Sequence, residues 1–344
     1  MTNKNPATLS DIAKQLNISV STVSRALHDH PAINKNTKKK VVQLADKLNY
    51  QPNMLALSLL NKTTNTIGII VPEITSYYFS SVINGIQDLL HDTDYRLFIS
   101  QSEESFEREK KILETLSKVR VDGFLISPTS ETHDTHHFNK IVENGTPMVI
   151  FDRDCEGLNA DKVLVDDYDG SFQAVEYLIK TGCRKIAHIT GPSILSISKH
   201  RLQGYFDALK KYDIPIEKEL IFEVGGFTPE FGVEAARALI KLPQIPDAIF
   251  AINDGIAIGA MYVIKEAGIQ IPDQISVVGF DDEPHSSYFI PPLTSVWQPV
   301  YDMGLLSARI LLNKLKGKKQ IETFRYELLK PELILRKSSR ILTR

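Results

Sequence analysis

The chain has 344 residues and a formal net charge of −2, and 42% of its residues are hydrophobic and 24% charged. Its length predicts two or three domains, and its composition is typical of a soluble globular protein. No apolar run approaches the roughly 20 residues that span a bilayer, and the N-terminus lacks the apolar segment of a secretory signal. Two cysteines, Cys155 and Cys183, are too few for a disulfide framework. We therefore expect a cytoplasmic protein without a membrane segment.

The charge is distributed unevenly along the chain. Residues 1–63 contain nine Lys and Arg and three acidic residues, a net charge of +6, which leaves −8 on the remainder. A small basic module joined to a larger acidic one is typical of nucleic-acid-binding proteins. The run Lys38–Lys40 by itself indicates little, because such runs often form a solvated helix face.

Three short helices are predicted within the first fifty residues. Thr8 and Asp11 have the spacing of a capping box, and Ser19 can cap a second helix through its side-chain oxygen. Asn34 or Asn36 can cap a third. Helix, tight turn, second helix and supporting third helix is the plan of a helix-turn-helix domain, whose second helix enters the DNA major groove.

The start of the second predicted helix carries side chains suited to reading base edges. Arg25 can donate two hydrogen bonds to guanine, and Val20 can contact a thymine methyl group. Ser21 can bond to several bases and predicts none in particular. A three-helix bundle with an exposed arginine and no DNA-binding role is the alternative that this pattern leaves open.

Three segments together resemble the signature of the lactose-repressor family: residues 8–13, 19–27 and 48–53. The resemblance implies that residues 54–60 form a hinge helix and that two chains form a homodimer on a pseudo-palindromic double-stranded DNA operator. It also implies that Leu59 enters the minor groove as an apolar wedge. The residues expected to contact DNA are Thr8, Ser19, Val20, Ser21, Thr22, Ser24, Arg25, Tyr50, Asn53, Ala56 and Leu59.

From residue 66 onward, apolar runs alternate with amphipathic stretches. This alternation predicts α/β structure with parallel sheets covered by helices on both faces. The predicted strands are Thr66–Ile74, Tyr95–Ser100, Val121–Ser127, Pro147–Asp152, Lys185–Thr190, Leu220–Val224, Asp247–Ile252 and Ile275–Phe280. Ligands of such sheets bind beyond the carboxyl ends of the strands.

The core resembles periplasmic sugar-binding proteins of the ribose type. The resemblance implies two similar subdomains, joined by crossovers near residues 161–163, 291–293 and 323–325. The expected organisation is a helix-turn-helix domain (1–52), a hinge helix and linker (53–63), a first core subdomain (64–162 plus 293–324) and a second (163–292 plus 325–344).

The resemblance also assigns a ligand site between these two subdomains. The side chains suit a sugar, because charged groups can bond to hydroxyls and aromatic rings can cover the apolar faces of the ring. Two acids and two arginines among them predict a site close to neutral. The residues expected to bind the ligand are Tyr78, Phe79, Asp152, Arg153, Arg201, Phe227, Asn253, Asp281 and Gln298.

The interpretation is a sequence-specific transcriptional regulator, most simply a repressor, whose affinity for DNA is controlled by a neutral monosaccharide. The sequence leaves open whether the ligand releases the protein from DNA or acts as a corepressor, and release is the expectation. A purine or a sugar phosphate is the alternative effector, although Leu195 and Ile197 are apolar where the purine repressor has base-binding groups. A solute-binding receptor is a further alternative that leaves the N-terminal module unexplained. We expect no enzyme activity, cofactor or metal, and the histidines at 133, 136 and 137 are expected at an exposed helix start.

Overall fold

The computed structural model describes residues 7–50, 63–317 and 324–342. The chain divides into two compact units, Met1–Thr64 and Asn65–Arg344, called here the headpiece and the core. The predicted boundary at residues 52–53 lies outside the described residues. Each unit is described by itself below.

The headpiece contains three helices, α1 (Leu9–Leu16), α2 (Val20–Leu27) and α3 (Lys35–Lys47). Their apolar faces pack together, and Ile12, Val23 and Val41 are each 0% exposed. One fully buried residue from each helix thus forms the centre of this small core, as the helix-turn-helix pattern predicts.

The headpiece helices begin at the caps that the sequence predicts. The Thr8 hydroxyl accepts a hydrogen bond from the Asp11 backbone N–H, and the Asp11 carboxylate accepts one from the Thr8 N–H. The Ser19 hydroxyl caps α2 by accepting a hydrogen bond from the Thr22 backbone N–H. Asn34, and not Asn36, caps α3. A cap of this kind typically stabilises a helix by about 1 kcal/mol.

The core contains two six-stranded sheets. In the first sheet all neighbouring strands are parallel, in the order β11-β5-β4-β3-β1-β2. Its strands are β1 (Thr66–Val71), β2 (Arg96–Gln101), β3 (Gly123–Ile126), β4 (Met148–Phe151), β5 (Asp161–Val165) and β11 (Tyr326–Leu329).

The second sheet has the corresponding order β12-β10-β9-β8-β6-β7. Its neighbours are parallel except for β12, which runs antiparallel to β10. Its strands are β6 (Ile186–Thr190), β7 (Ile221–Glu223), β8 (Ala248–Ala251), β9 (Ser276–Asp281), β10 (Thr294–Trp297) and β12 (Glu332–Ile334).

Helices cover the sheets, and most follow a strand directly. They are α4 (Tyr77–Leu90), α5 (Phe106–Lys118), α6 (His136–Glu143), α7 (Asp167–Lys180), α8 (Ser196–Lys211), α9 (Pro229–Leu239), α10 (Asp254–Glu266) and α11 (Val300–Lys316). Short 3-10 turns lie at Lys218–Leu220 and Pro284–Ser287.

Helices α4 and α11 pack so closely that their backbones touch, because each helix places a glycine against the other. A Cβ atom on Gly85 would lie 2.2 Å from the Tyr301 carbonyl oxygen, and one on Gly304 would lie 2.1 Å from that of Val82. Real Cβ atoms do not approach so closely, so both positions require glycine. This contact holds α11, which follows β10 of the second sheet, against the first sheet.

The chain crosses between the sheets a few residues later than the sequence suggested. The crossings lie after Val165, at residues 298–299 and at residues 330–331, and not near 161–163, 291–293 and 323–325. Strands β5, β10 and β11 account for the differences. Each strand is hydrogen-bonded to its sheet to its last residue, so the crossing begins only after the strand ends.

Candidate functional site

The start of α2 presents exposed side chains that can reach DNA bases. Val20 is 45% exposed, and Ser19, Ser21 and Arg25 are also exposed. The Ser19 hydroxyl lies 2.8 Å from that of Thr22 and 2.9 Å from that of Ser21. These small hydroxyl side chains form a flat surface with one long cation a turn farther along. Such a surface can approach base edges in a groove.

The other residues expected to contact DNA differ in exposure. Thr8 is exposed, Ser24 is half-buried, and Tyr50 packs partly against the headpiece core. Asn53, Ala56 and Leu59 lie outside the described residues, so the hinge helix and its wedge stay predictions. Within the Lys38–Lys40 run, Lys38 is bound to Asp29 at 2.5 Å.

The core contains a cavity of about 520 Å³ between its two sheets. All nine residues expected to bind a ligand line it, together with five others. The lining residues are Glu73, Ser76, Tyr78, Phe79, Glu104, Asp152, Arg153, Ile197, Arg201, Phe227, Asn253, Asp281, Glu283 and Gln298.

The fold brings these residues together because most of them follow the carboxyl ends of strands. Asp152 and Arg153 follow β4, Asn253 follows β8, Asp281 ends β9 and Gln298 follows β10. The carboxyl ends of parallel strands meet at one edge of a sheet. The two sheets therefore supply opposite walls of a single polar cavity.

Asp152 is buried on the wall formed by the first sheet, and both its oxygens accept hydrogen bonds. The Tyr78 hydroxyl donates to Oδ1 at 2.9 Å and the Ser127 hydroxyl to Oδ2 at 2.9 Å. Burial raises the pKa of Asp152, while Arg153 and these two hydroxyls oppose the rise. The backbone at Asp152 is left-handed, with φ of 68°, and turns the carboxylate towards these donors.

Arg153 forms a two-pronged ion pair with Glu104. Its Nη1 and Nη2 each lie 2.8 Å from one Glu104 oxygen, and Nη1 also donates to the Pro128 carbonyl at 3.1 Å. Nε is buried, lies 3.6 Å from Asp152 and makes no hydrogen bond within the described part of the chain. The guanidinium carbon lies 5.4 Å from the centre of the Phe227 ring.

Arg201 is also paired within the protein. Its Nε and Nη2 lie 2.8 Å and 2.7 Å from Oδ1 of Asp167, and Nη1 donates to the Ile252 carbonyl at 2.5 Å. The guanidinium group stacks on Phe280, 3.6 Å from the ring centre. Both charged side chains are at most 5% exposed. Such a pair is costly to break, because either partner alone would be a buried, uncompensated charge.

The wall formed by the second sheet carries a carboxylate between two amides. The Gln298 amide donates to Asp281 at 2.6 Å, and Asn253 donates to the Phe227 carbonyl at 2.9 Å while capping α10. Burial raises the pKa of Asp281 well above its usual value, although Arg201 opposes the rise. Asp281 has φ of 112°, a strained conformation for a residue other than glycine.

The sequence-based prediction missed three carboxylates that line the cavity, Glu73, Glu104 and Glu283. With them the lining has five acidic residues and two arginines, so the site is acidic and the prediction of a nearly neutral site was wrong. Each of the three follows a strand of the core within a few residues. The strand-end rule that selected Asp152 and Asp281 could therefore have found them.

A larger cavity, of about 1,160 Å³, opens beside α6 and α8. Of its lining residues only Cys155 is buried, and burial raises the pKa of that thiol to about 12, which disfavours the reactive thiolate. Its lining is otherwise exposed or half-buried, whereas the first cavity has six buried polar or aromatic side chains. We therefore take the first cavity as the candidate ligand site.

One expectation about the histidines was wrong. His137 is not exposed, because its ring packs against Phe138 and its Nε2 lies 2.8 Å from the fully buried Glu109. His133 and His136 are exposed as expected. Among residues 7–50, 63–317 and 324–342, no group of three His, Cys, Asp or Glu is arranged to hold a metal ion. The same ranges contain no helix long and apolar enough to cross a membrane.

Comparison with known proteins matches both units to families. Residues 8–53 match the model for bacterial regulatory proteins of the lacI family, and residues 175–339 match that for a periplasmic binding protein-like domain. The chain is 37% identical over 310 residues to the probable HTH-type transcriptional repressor ExuR of Bacillus subtilis (strain 168), covering 89% of this chain and 91% of that protein.

Two further matches extend over nearly the whole chain. The HTH-type transcriptional repressor PurR of Actinobacillus pleuropneumoniae serotype 3 (strain JL03) is 32% identical, with 98% of this chain and all of that protein covered. The lac repressor dimer bound to operator and the anti-inducer ONPF superimposes with a TM-score of 0.87 at 26% identity, covering 98% of this chain and 100% of that one. The chain belongs to the lacI family of bacterial regulatory proteins and is a DNA-binding transcriptional repressor.

Proposed function

We propose that this repressor binds its operator as a homodimer and that a neutral monosaccharide in the core cavity lowers its affinity for DNA. The proposal rests mainly on one observation. Nine side chains, which are either aromatic or able to hydrogen-bond to hydroxyl groups, line one cavity at the strand ends of both sheets. Its work on DNA would be done in the cytoplasm.

The cavity suits a polyhydroxylated ring. Asn253 and Gln298 can both donate and accept, which matches hydroxyl groups, and the carboxylates of Asp152 and Asp281 accept hydroxyl protons. Phe79 and Phe227 supply apolar surfaces among these polar groups. Because the lining comes from both sheets, a ligand there would draw the two walls together. Closure of the core is the motion that would change the spacing of the two headpieces in a dimer.

On the DNA side, we propose that Val20, Ser21 and Arg25 read bases while Thr8 and Tyr50 help to fix the headpiece on the phosphate backbone. Leu59 would enter the minor groove from the hinge. Replacing it by alanine should reduce DNA bending, measured by energy transfer between fluorophores at the fragment ends, without changing ligand affinity. Unchanged bending would assign the wedge to a different residue.

A purine is the second candidate effector, favoured by the relative named PurR. Against it, Ile197 is an apolar residue in the cavity wall and forms no hydrogen bond through its side chain. Calorimetry of the full chain against a panel of pentoses and hexoses, and against purine bases, separates the two. We expect saturable binding of at least one aldose. Tight binding of a purine, with no response to any aldose, would replace the proposal by its alternative.

A further inference from the structure

Asp254, the first residue of α10, is a buried acid close to the candidate ligand site but not in its wall. Its side chain is 0% exposed, and the residue before it, Asn253, is the one that lines the cavity. Oδ1 of Asp254 accepts a hydrogen bond from the Ser295 hydroxyl at 2.5 Å. Oδ2 accepts two, from the Ser286 hydroxyl at 2.5 Å and from the Glu283 backbone N–H at 2.9 Å. Asp254 thus ties the start of α10 to β10 and to the segment that leads into it.

The Asp254 carboxylate reaches β10 because the intervening strand, β9, contains a glycine. Strand β9 lies between β8, which precedes α10, and β10. A Cβ atom on Gly279 of β9 would lie 2.3 Å from Oδ1 of Asp254, closer than real Cβ atoms approach. Gly279 is also the residue that pairs with Ser295 in the register of β9 and β10. The glycine therefore leaves the space in which the carboxylate meets the Ser295 hydroxyl.

The segment that Asp254 holds begins with two residues in a strained backbone conformation. Asp281, which lines the cavity, has φ of 112°, and Asp282 has φ of 51°. Residues other than glycine rarely adopt such angles, and they persist where surrounding contacts enforce them. The next backbone N–H, that of Glu283, donates directly to Asp254. The Asp282 N–H donates at 3.1 Å to the Ser295 hydroxyl, which in turn donates to Asp254.

The direction of the Asp281 side chain depends on this turn, because the backbone of a residue fixes where its Cβ atom points. In the observed conformation the carboxylate lines the cavity and accepts a hydrogen bond from the Gln298 amide at 2.6 Å. If the two backbone N–H groups after Asp281 were released, its backbone could relax towards ordinary extended angles. Such relaxation would turn the carboxylate away from Gln298 and from a ligand.

We infer that Asp254 and Ser295 are positioning residues of the effector site: by holding the two backbone N–H groups that follow Asp281, they keep its carboxylate directed at the ligand. The inference rests on the proposed function, which makes this cavity the effector site. Neither Asp254 nor Ser295 lines the cavity, so both act through Asp281.

The chain offers a matched pair of serines for the test. Ser295 and Ser286 are both 0% exposed, and both hydroxyls donate to Asp254 at 2.5 Å. Only the Ser295 hydroxyl also accepts from the Asp282 N–H in the strained turn. Ser295→Ala and Ser286→Ala therefore each remove one hydrogen bond from Asp254, but only the first also releases the turn.

The probes are D-ribose, D-glucose and D-galactose, with the purine bases adenine and hypoxanthine, titrated calorimetrically into the full-length wild type and variants. The titrations are made at pH 8, where Asp254 is ionised because burial raises its pKa only to about 7. Urea unfolding of the same proteins measures the loss of stability in each variant.

For the aldose that the wild type binds most tightly, we expect Ser295→Ala to weaken binding about tenfold or more, and Ser286→Ala less than about threefold. Both variants should lose similar amounts of stability. In an Asp281→Ala background, Ser295→Ala should weaken binding no further, because the carboxylate that it positions is already absent. A role in stability alone would not produce this non-additivity.

Asp254→Asn keeps the test decisive if Ser295→Ala does not fold. It retains one acceptor oxygen in place of two, so it cannot accept from both the Ser295 hydroxyl and the Glu283 N–H. We expect it to weaken aldose binding about threefold or more in the wild-type background, and to have no further effect in Asp281→Ala.

The results that would overturn the inference differ from those that would overturn the proposed function. Equal losses of affinity in the two serine variants, or a full further loss in the Asp281→Ala background, would leave Asp254 with a role in stability only. Binding of adenine or hypoxanthine with no response to any aldose would overturn the proposed function. The same serine comparison, made with that purine, would then decide the positioning role by itself.

Discussion

The candidate binding residues of the headpiece and those of the core cavity differ in their exposure to solvent. At the start of α2, Val20, Ser21 and Arg25 are exposed. In the cavity, Arg153 and Arg201 are buried and already paired with carboxylates of the protein. The headpiece side chains proposed to contact DNA need little rearrangement to meet a partner, whereas carboxylates of the protein already neutralise the cavity arginines.

This difference has a consequence for specificity. Exposed cations attract any polyanion, and base contacts then select among DNA sequences. A buried ion pair attracts anions much less, so under the proposed function the cavity would select its ligand by hydroxyl geometry. Under the proposed function, arginine would therefore have different roles in the two regions because its surroundings differ.

The largest difference should appear when one carboxylate is neutralised in each region. Asp167→Asn leaves Arg201 buried without its partner and should lower the free energy of unfolding of the core by about 3–5 kcal/mol. Asp29→Asn breaks the corresponding pair with Lys38 in the headpiece, where the Asp29 side chain is 91% exposed. It should cost less than about 1 kcal/mol.

Urea titration of the full chain measures both variants. Fluorescence of Trp297, the single tryptophan of the chain, reports on the core, and helical circular dichroism reports on the whole molecule. Equal losses in the two variants would show that burial does not separate the two ion pairs.

The second effect concerns a buried acid that the sequence did not single out. Asp254 is fully buried beneath the cavity wall and accepts hydrogen bonds from the Ser286 and Ser295 hydroxyls and the Glu283 N–H. Burial raises its pKa to about 7, against the opposing effect of these donors. The folded core therefore retains a proton at pH values where the unfolded chain, with an ordinary aspartate, has lost it.

Because of this retained proton, the stability that Asp254 contributes falls as the pH rises from about 4 to about 7 and is constant above that. Over about three pH units the wild type should lose about 4 kcal/mol relative to Asp254→Asn, at about 1.4 kcal/mol per unit. Unfolding curves of both proteins at pH 5 and pH 7.5 provide the comparison. This interval covers about two of the three units, so the measured change should be about 3 kcal/mol. A stability difference that does not change with pH would show that Asp254 ionises normally.

In the cavity, Asp281→Ala should weaken ligand binding at least a hundredfold, about 2.7 kcal/mol. The substitution removes a carboxylate that lines the cavity, and it leaves the buried Gln298 amide without its acceptor. Operator binding without ligand should persist. The adjacent Asp282, which pairs with Arg336, supplies a control. Asp282→Ala should affect stability more than ligand affinity, and the reverse pattern would remove Asp281 from the site.

The smallest effect is expected in the headpiece, where the candidate DNA-contacting residues are exposed. Arg25→Ala should weaken binding to the specific operator by about 1–3 kcal/mol and relax the preference at one base pair. Gel-shift titrations on operator variants and on random DNA measure both quantities. Equal losses on specific and random DNA would make Arg25 a phosphate contact.

Local patterns were sufficient to predict the headpiece and eight strands of the core. The caps at Thr8 and Ser19 depend on residues three positions apart, and continuous apolar runs mark the buried strands. Strands β5, β10, β11 and β12 were not predicted. Of these, β11 and β12 are three or four residues long and partly exposed, so they lack the apolar run that marks the others.

The sequence predicted nine of the residues that line the cavity, but it did not predict the balance of charges there. Asp152 and Asp281 could be selected from their positions at strand ends, whereas the partners of the two arginines could not. Glu104 lies 49 positions from Arg153 and Asp167 lies 34 from Arg201. No local period connects residues so far apart, and only the folded core shows that both arginines are already paired.

The most direct test of this account is to titrate the complex of the full-length repressor and a selected operator fragment with effector candidates, following release of labelled DNA by fluorescence anisotropy. The account predicts that a neutral aldose releases the DNA from the wild type, that Asp281→Ala retains the DNA under the same conditions, and that purines have no effect. Release by a purine with no response to any aldose, or an aldose response that survives in Asp281→Ala, would contradict it.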